Sequence, residues 1–188
     1  MDDIALLSGV LTRTGDLVGG VDAGRSKDPT PCPEYTVEAL VDHMVGWIRA
    51  FADVAQGRPI EGDPGGYRSG PDPAAEFRAA AEGVVAGWRE HGTDRRVRFV
   101  GSELPGRMAF DMTLMEYVAH GWDLAVATGQ PVPYTEREAA EALTRAEATV
   151  PPQYRGEGMP FGEIVPVDPD APAVERFVGF LGRRPYSR

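Results

Sequence analysis

Apolar residues recur three and four positions apart along most of this chain, and the runs are separated by stretches rich in Gly and Pro. Ile4, Leu7, Leu11, Thr14 and Val18 mark a first helix over residues 3 to 19, with Asp2 and Asp3 at its start and Gly19 and Gly20 at its end. Thr36 suits an N-cap and Glu38 the positive end of a helix dipole, so residues 37 to 56 read as a second helix, stopped by Gly57 and Pro59. Its inward stripe is Leu40, His43, Trp47, Ala50 and Val54, with Asp42, Arg49 and Asp53 opposite. Pro73 opens a third helix at its first turn, and Phe77, Ala81, Val84 and Trp88 form its buried face up to His91 and Gly92. Residues 108 to 128 are a fourth, closed by Gly129 and Pro131. Thr135 and Glu138 have the spacing of a capping box for a fifth, ending near residue 149. A short sixth helix from about Ala173 to Leu181 is expected to pack the tail onto the body.

The connections are less regular. Thr30-Pro31-Cys32-Pro33 favours extended backbone, because each proline restricts the residue before it. Residues 57 to 72, with five glycines and three prolines, make a loop long enough for a lid or a crossover. Residues 95 to 107 alternate weakly and read as an extended connector, and the proline-rich residues 150 to 171 have no period. The prediction is an all-α chain, a helical bundle of one domain over residues 1 to 188, with its core in residues 1 to 150 and a proline-rich tail over 151 to 188.

The fourth helix changes this picture from architecture to chemistry. Met108, Met112, Met115, Ala119, Trp122 and Val126 form one apolar stripe, and Leu114, Val118 and Ala125 a second. Thr113, Glu116, His120 and Asp123 share the narrow arc between them. No Lys or Arg occurs from Met108 to Glu136, whereas a solvated face usually mixes charges of both signs, so this arc is expected to face inward. Glu116 and His120, four apart, stack on one face. With the inward His43 they give two imidazoles and a carboxylate, a common catalytic zinc set that leaves a coordination position open. Iron and nickel use similar donors, so zinc is the expected metal rather than a deduced one. Two bland readings stand beside this one: Glu116 and His120 as a surface pair, and His43 as a neutral core histidine bonded to a backbone carbonyl. The inward position of His43 counts against the surface pair. His91, just before Gly92, reads as a helix-end cap. Asp123 could orient a ligand from behind or lie exposed, and Cys32, without a partner cysteine or a local base, reads as a small packed residue.

Composition narrows the partners. A net charge of −10 with scattered basic residues gives no electrostatic footprint for nucleic acid or an anionic membrane. One cysteine excludes an internal disulfide framework and suits a reducing compartment. The Met-Asp-Asp start has no basic leader and no long apolar run follows, so the expected location is cytoplasmic. Eighteen Arg against one Lys suggests a GC-rich genome. The faces carrying Trp47, Trp88 and Trp122 suit a core or an interface, which leaves a homodimer open.

Four blocks carry a resemblance: Thr30 to Val37 (TPCPEYTV), Leu40 to Gly46 (LVDHMVG), Met115 to Ala125 (MEYVAHGWDLA) and Ala127-Thr128-Gly129. In order and spacing they resemble the N-terminal metal-binding domain of mycothiol-dependent maleylpyruvate isomerases, within the DinB-like superfamily. The segment from Phe161 to Asp170 and the closing Phe180 to Arg183 resemble the tail of its stand-alone members. The resemblance implies a DinB-like four-helix bundle with short additional helices, and metal ligands falling on His43, Glu116 and His120. It also implies a divalent metal, usually zinc, that binds mycothiol or another small thiol. The expected activity is then thiol transfer to an unidentified electrophile, or thiol-assisted isomerisation, with a non-catalytic metal- or ligand-binding bundle, a sensor or stress protein, as the alternative. The isomerases continue into a second domain for which 188 residues leave no room, so the metal is implied more directly than isomerisation of maleylpyruvate.

Overall fold

The computed structural model describes residues 2 to 185. The protein is mostly helical: α1 (Asp3–Gly19), α2 (Val37–Ala55), α3 (Pro73–His91), α4 (Gly106–Thr128), α5 (Glu136–Thr149) and α6 (Ala173–Phe180), with 3-10 turns at Ala23–Arg25 and Pro152–Tyr154. A small antiparallel sheet, β1 (Arg96–Phe99) and β2 (Ser102–Pro105), stands between α3 and α4. α2 packs on α3 and α4, α1 packs on the same two helices, and α5 bridges α4 to α6. Trp88, Tyr117, Phe77, Phe110, Leu40 and Met44 fill the shared core without solvent exposure above 2%. None of the described helices is long and apolar enough to cross a membrane.

The helix ends follow the local chemistry read above. Asp2, Thr36 and Asp72 cap α1, α2 and α3 through their side-chain oxygens, and Thr135 and Glu138 close a complete capping box on α5. Gly129 ends α4 in the left-handed region at φ 69°. α4 is buried around most of its circumference, as expected for a helix with apolar residues on two stripes. Two members of its predicted apolar stripe, Met108 and Val126, are exposed. Trp88 and Trp122 are core residues, while Trp47 is only partly buried.

Two expectations need correction. Within the expected extended connector of residues 95 to 107, residues 96 to 105 form a β-hairpin and Gly106 and Arg107 already begin α4. Phe99 pairs with Ser102, leaving Val100 and Gly101 as a two-residue turn with φ 42° and 78°, the geometry that joins tightly twisted strands. Arg95 then ties the hairpin to α2 by donating to the carbonyls of Val54 and Ala55 at 3.1 and 2.6 Å. Asp42, assigned to the outer face of α2, is buried. The segment from 57 to 72 lies across that face as a strap: the Ser69 amide donates to Asp42 at 2.8 Å, and the Arg49 guanidinium sits 5.0 Å from the Tyr67 ring centre. Gly46 permits this approach, since a Cβ there would stand 2.2 Å from the Pro64 carbonyl oxygen. The tail folds back in turn, with the Ala173 amide on the Glu136 carboxylate at 3.0 Å and the Val165 amide on the Gly179 carbonyl at 2.9 Å.

Candidate metal centre

The packing of α2 on α4 brings His43 to Glu116 and His120. His43 Nε2 lies 2.8 Å from Glu116 Oε1, and His120 Nε2 lies 3.6 Å from the same oxygen. The two imidazole centroids are 4.9 Å apart. Each ring is held by its outer nitrogen: Nδ1 of His43 is 3.0 Å from the Tyr35 hydroxyl, and Nδ1 of His120 is 3.1 Å from Asp123 Oδ2. Since Asp123 only accepts, His120 Nδ1 carries the proton and Nε2 faces Glu116. Both inner nitrogens therefore converge on one carboxylate oxygen.

The surroundings explain why these side chains hold their positions. Thr30 donates to the carbonyls of Cys32 and Tyr35 at 2.8 and 2.9 Å, which curls the Pro-Cys-Pro lead-in so that Tyr35 reaches His43. Asp123 is fully buried, and Arg183, returning from the tail, donates to it from Nη2 at 2.9 Å and from Nε at 3.4 Å. The charge that burial would make costly is thereby paired.

Electrostatics follow the geometry. Burial opposes ionisation of Glu116, but the charge of His120 and the hydrogen bond to His43 outweigh it and pull the carboxyl down to about 2. Burial alone would make His120 less basic, yet Glu116 and Asp123 together raise it. Asp123 is lowered against its burial by His120 and Arg183. Burial, then the Asp123 charge, pushes the Cys32 thiol up, and burial does the same for the Tyr35 phenol.

Among the described residues two sets have donor atoms all within 4.8 Å of one another: His43, Glu116 and His120, and Cys32, His120 and Asp123. The first fits a divalent ion better. Its side chains remain 14%, 26% and 11% exposed, so it is open on one side, and its donors converge. In the second set Asp123 is committed to Arg183, whose guanidinium opposes a cation, and the Cys32 thiol is held protonated. His91 lies apart at the end of α3, beside Glu90. Tyr35 and Arg183 were not singled out from the sequence as contributors. Arg183 in particular carries no local signal, because it reaches Asp123 across 60 residues.

A mostly helical chain that gathers two imidazoles and a carboxylate at a partly open point belongs, by class, with helical proteins bearing a candidate metal centre. More narrowly, the chain belongs to the family of the mycothiol maleylpyruvate isomerase N-terminal domain, whose model matches residues 7–125. Two uncharacterized proteins of Mycobacterium tuberculosis, from strains CDC 1551 / Oshkosh and ATCC 25618 / H37Rv, are each 33% identical to it over 169 residues, covering 89% of this chain and 90% of their own. Its fold is similar to the crystal structure of a histidine-to-alanine mutant of the mycothiol-dependent maleylpyruvate isomerase, with a TM-score of 0.62 at 15% identity over 85% of this chain and 72% of that one.

Proposed function

We propose that the protein binds a divalent metal through His43, Glu116 and His120 and uses it with a small thiol, mycothiol or a close relative, in a transferase or isomerase reaction. The observation that carries this reading is the convergence of two outer-held imidazoles on one Glu116 oxygen at a partly exposed point. The donor set suits zinc, with nickel or iron(II) as alternatives. Such an ion, when bound, supplies Lewis acidity that makes a coordinated thiol more acidic and so more nucleophilic at neutral pH. Tyr35 and Asp123 fix the two rings so that each presents Nε2, and Asp123 keeps the proton of His120 on Nδ1. The thiol and its electrophile enter from the exposed side of Glu116.

Family membership supports the thiol, and the open ligand set supports the metal. The packing of α1 to α4 is in keeping with a DinB-like four-helix bundle that spans the whole chain as one domain, working in the cytoplasm and without nucleic acid or membrane partners; a homodimer through its outer faces is compatible with it. The second reading, a non-catalytic metal- or ligand-binding bundle, is favoured by one observation: Tyr35 and Cys32, beside the ligands, both hold their protons at neutral pH.

Elemental analysis of the purified protein beside His43→Ala and His120→Ala tests the ligand set. About one equivalent of metal, lost in both variants at unchanged helicity, is expected; retention of metal in either variant overturns the assignment. Metal-dependent consumption of a thiol with a generic electrophile then separates the enzyme from the non-catalytic bundle.

A further inference from the structure

A second feature lies one ring beyond His43. Trp47, one turn along α2, has its ring centre 6.2 Å from that of His43 and is stacked on Phe99 of the hairpin at 5.9 Å and 27°. Phe99 also stacks on Phe51, at 5.7 Å and 26°. On the far side of Phe99 is a cleft of about 510 Å³ between the start of the strap and the hairpin tip, a size suited to a small organic molecule. Pro59, Ile60 and Pro64 form one wall, and Phe99 and Val100 the other.

Val100 is the informative residue. It is 61% exposed and has φ 42°, the only positive value among the described non-glycine residues. A two-residue turn of this kind is ordinarily made by Asn or Gly, and a β-branched side chain there is strained. The sequence thus keeps an apolar side chain at the mouth of the cleft where neither backbone geometry nor solvation favours one. Arg98 also lines the cleft, and its side chain has no hydrogen bond or ion pair to a described residue. The acids nearby are engaged: Asp63 accepts from the Gly65 amide at 3.0 Å, and Glu103 lies 3.6 Å from Arg96. Arg98 is therefore the charged side chain of the cleft left without a partner among the described residues, and it would pair with an anionic group of a ligand.

From this arrangement we infer that the cleft is a binding site for a flat, largely apolar organic anion, seated between the proline wall and Val100 with its charged group on Arg98. The inference stands on the cleft alone and does not need the metal. If the metal reading also holds, the Trp47 and Phe99 stack makes the two sites neighbours.

Fluorescence titration with anilinonaphthalene sulfonate tests this, with uncharged phenylnaphthylamine as the apolar control. Val100→Asp, which tolerates the turn geometry, is expected to weaken sulfonate binding about tenfold. Arg98→Gln is expected to weaken it roughly fivefold and to remove the preference for the sulfonate over the uncharged probe. Ala86→Asp, in the other cleft between α1 and α3, is expected to bind as the parent does. Circular dichroism of each variant checks the fold. Unchanged binding in Arg98→Gln, or loss in Ala86→Asp, overturns the inference, and neither result bears on the metal ligands.

Discussion

Asp123 holds His120 from behind: His120 Nδ1 donates to Asp123 Oδ2 at 3.1 Å, leaving Nε2 to face Glu116. A carboxylate in this position fixes both the tautomer and the angle of the ring. Asp123→Asn removes the charge while keeping the size. It is expected to weaken metal binding by about 10- to 100-fold, read by competition against a chromophoric chelator. Affinity equal to the parent would mean that Asp123 is only a structural partner of Arg183.

The strap over α2 depends on a missing side chain. Gly46 faces the Pro64 carbonyl with no room for a methyl group, and carbonyl groups cannot be displaced as a flexible side chain can. Gly46→Ala should therefore lift the strap, expose Asp42 and destabilise the protein by about 1 to 3 kcal/mol in denaturant titration. Helix content is expected to remain, because α2 itself gains a better helix former.

An ionic cluster joins α1, α4 and α5, with Arg145 and Asp111 buried and Asp3 and Arg107 half exposed. Arg145 donates to Asp111 at 2.6 Å and to Asp3 at 3.3 Å, and Arg107 lies 3.1 Å from Asp111. Burial raises the Asp111 carboxyl, with Arg107 opposing. Arg145→Met leaves Asp111 short of a partner and is expected to cost about 3 kcal/mol. Adding Asp111→Leu should recover much of that loss in the same unfolding assay, since a well-packed apolar pair replaces a buried ion pair at little cost.

Alkaline stability rests on two buried phenols. Burial raises Tyr117 and Tyr134 well above the ordinary tyrosine value, and their hydroxyls bond to the Met44 carbonyl and the Tyr117 carbonyl. An acid raised on folding adds stability that is complete below its unfolded value, about 10, and is lost as pH climbs beyond it, because only the unfolded chain then releases the proton. Melting temperature should decline gently above neutral pH, where the raised His120 and then Cys32 give up their contributions, and fall steeply above about pH 10. Tyr134→Phe should make the steep fall shallower while lowering the melting temperature at neutral pH.

Much of this was legible in the chain because helices announce themselves through apolar spacing and caps. Ile4 to Val18, Thr36 and the Thr135–Glu138 box all lie where the sequence put them. The nearness of His43 to Glu116 and His120 was also legible, from polar residues on stripes otherwise reserved for the core. What escaped depends on contacts distant in sequence. Asp42 looked solvated until the strap crossed it, and the hairpin lacks the usual turn residues, with Val100 where Asn or Gly would be expected. Arg183 has no periodic neighbour to betray its role.

The return of Arg183 to Asp123 also sets an order of events as the chain emerges and folds. The two helices that carry the imidazoles are complete by residue 128, but the guanidinium that neutralises the buried Asp123 comes 60 residues after it. Until the tail docks, that carboxylate must stay solvated, so the ring of His120 acquires its fixed orientation only when the last helix is in place. The settled pairing of His120 with Asp123 is thus a late product of folding and marks a chain whose tail has returned to α4.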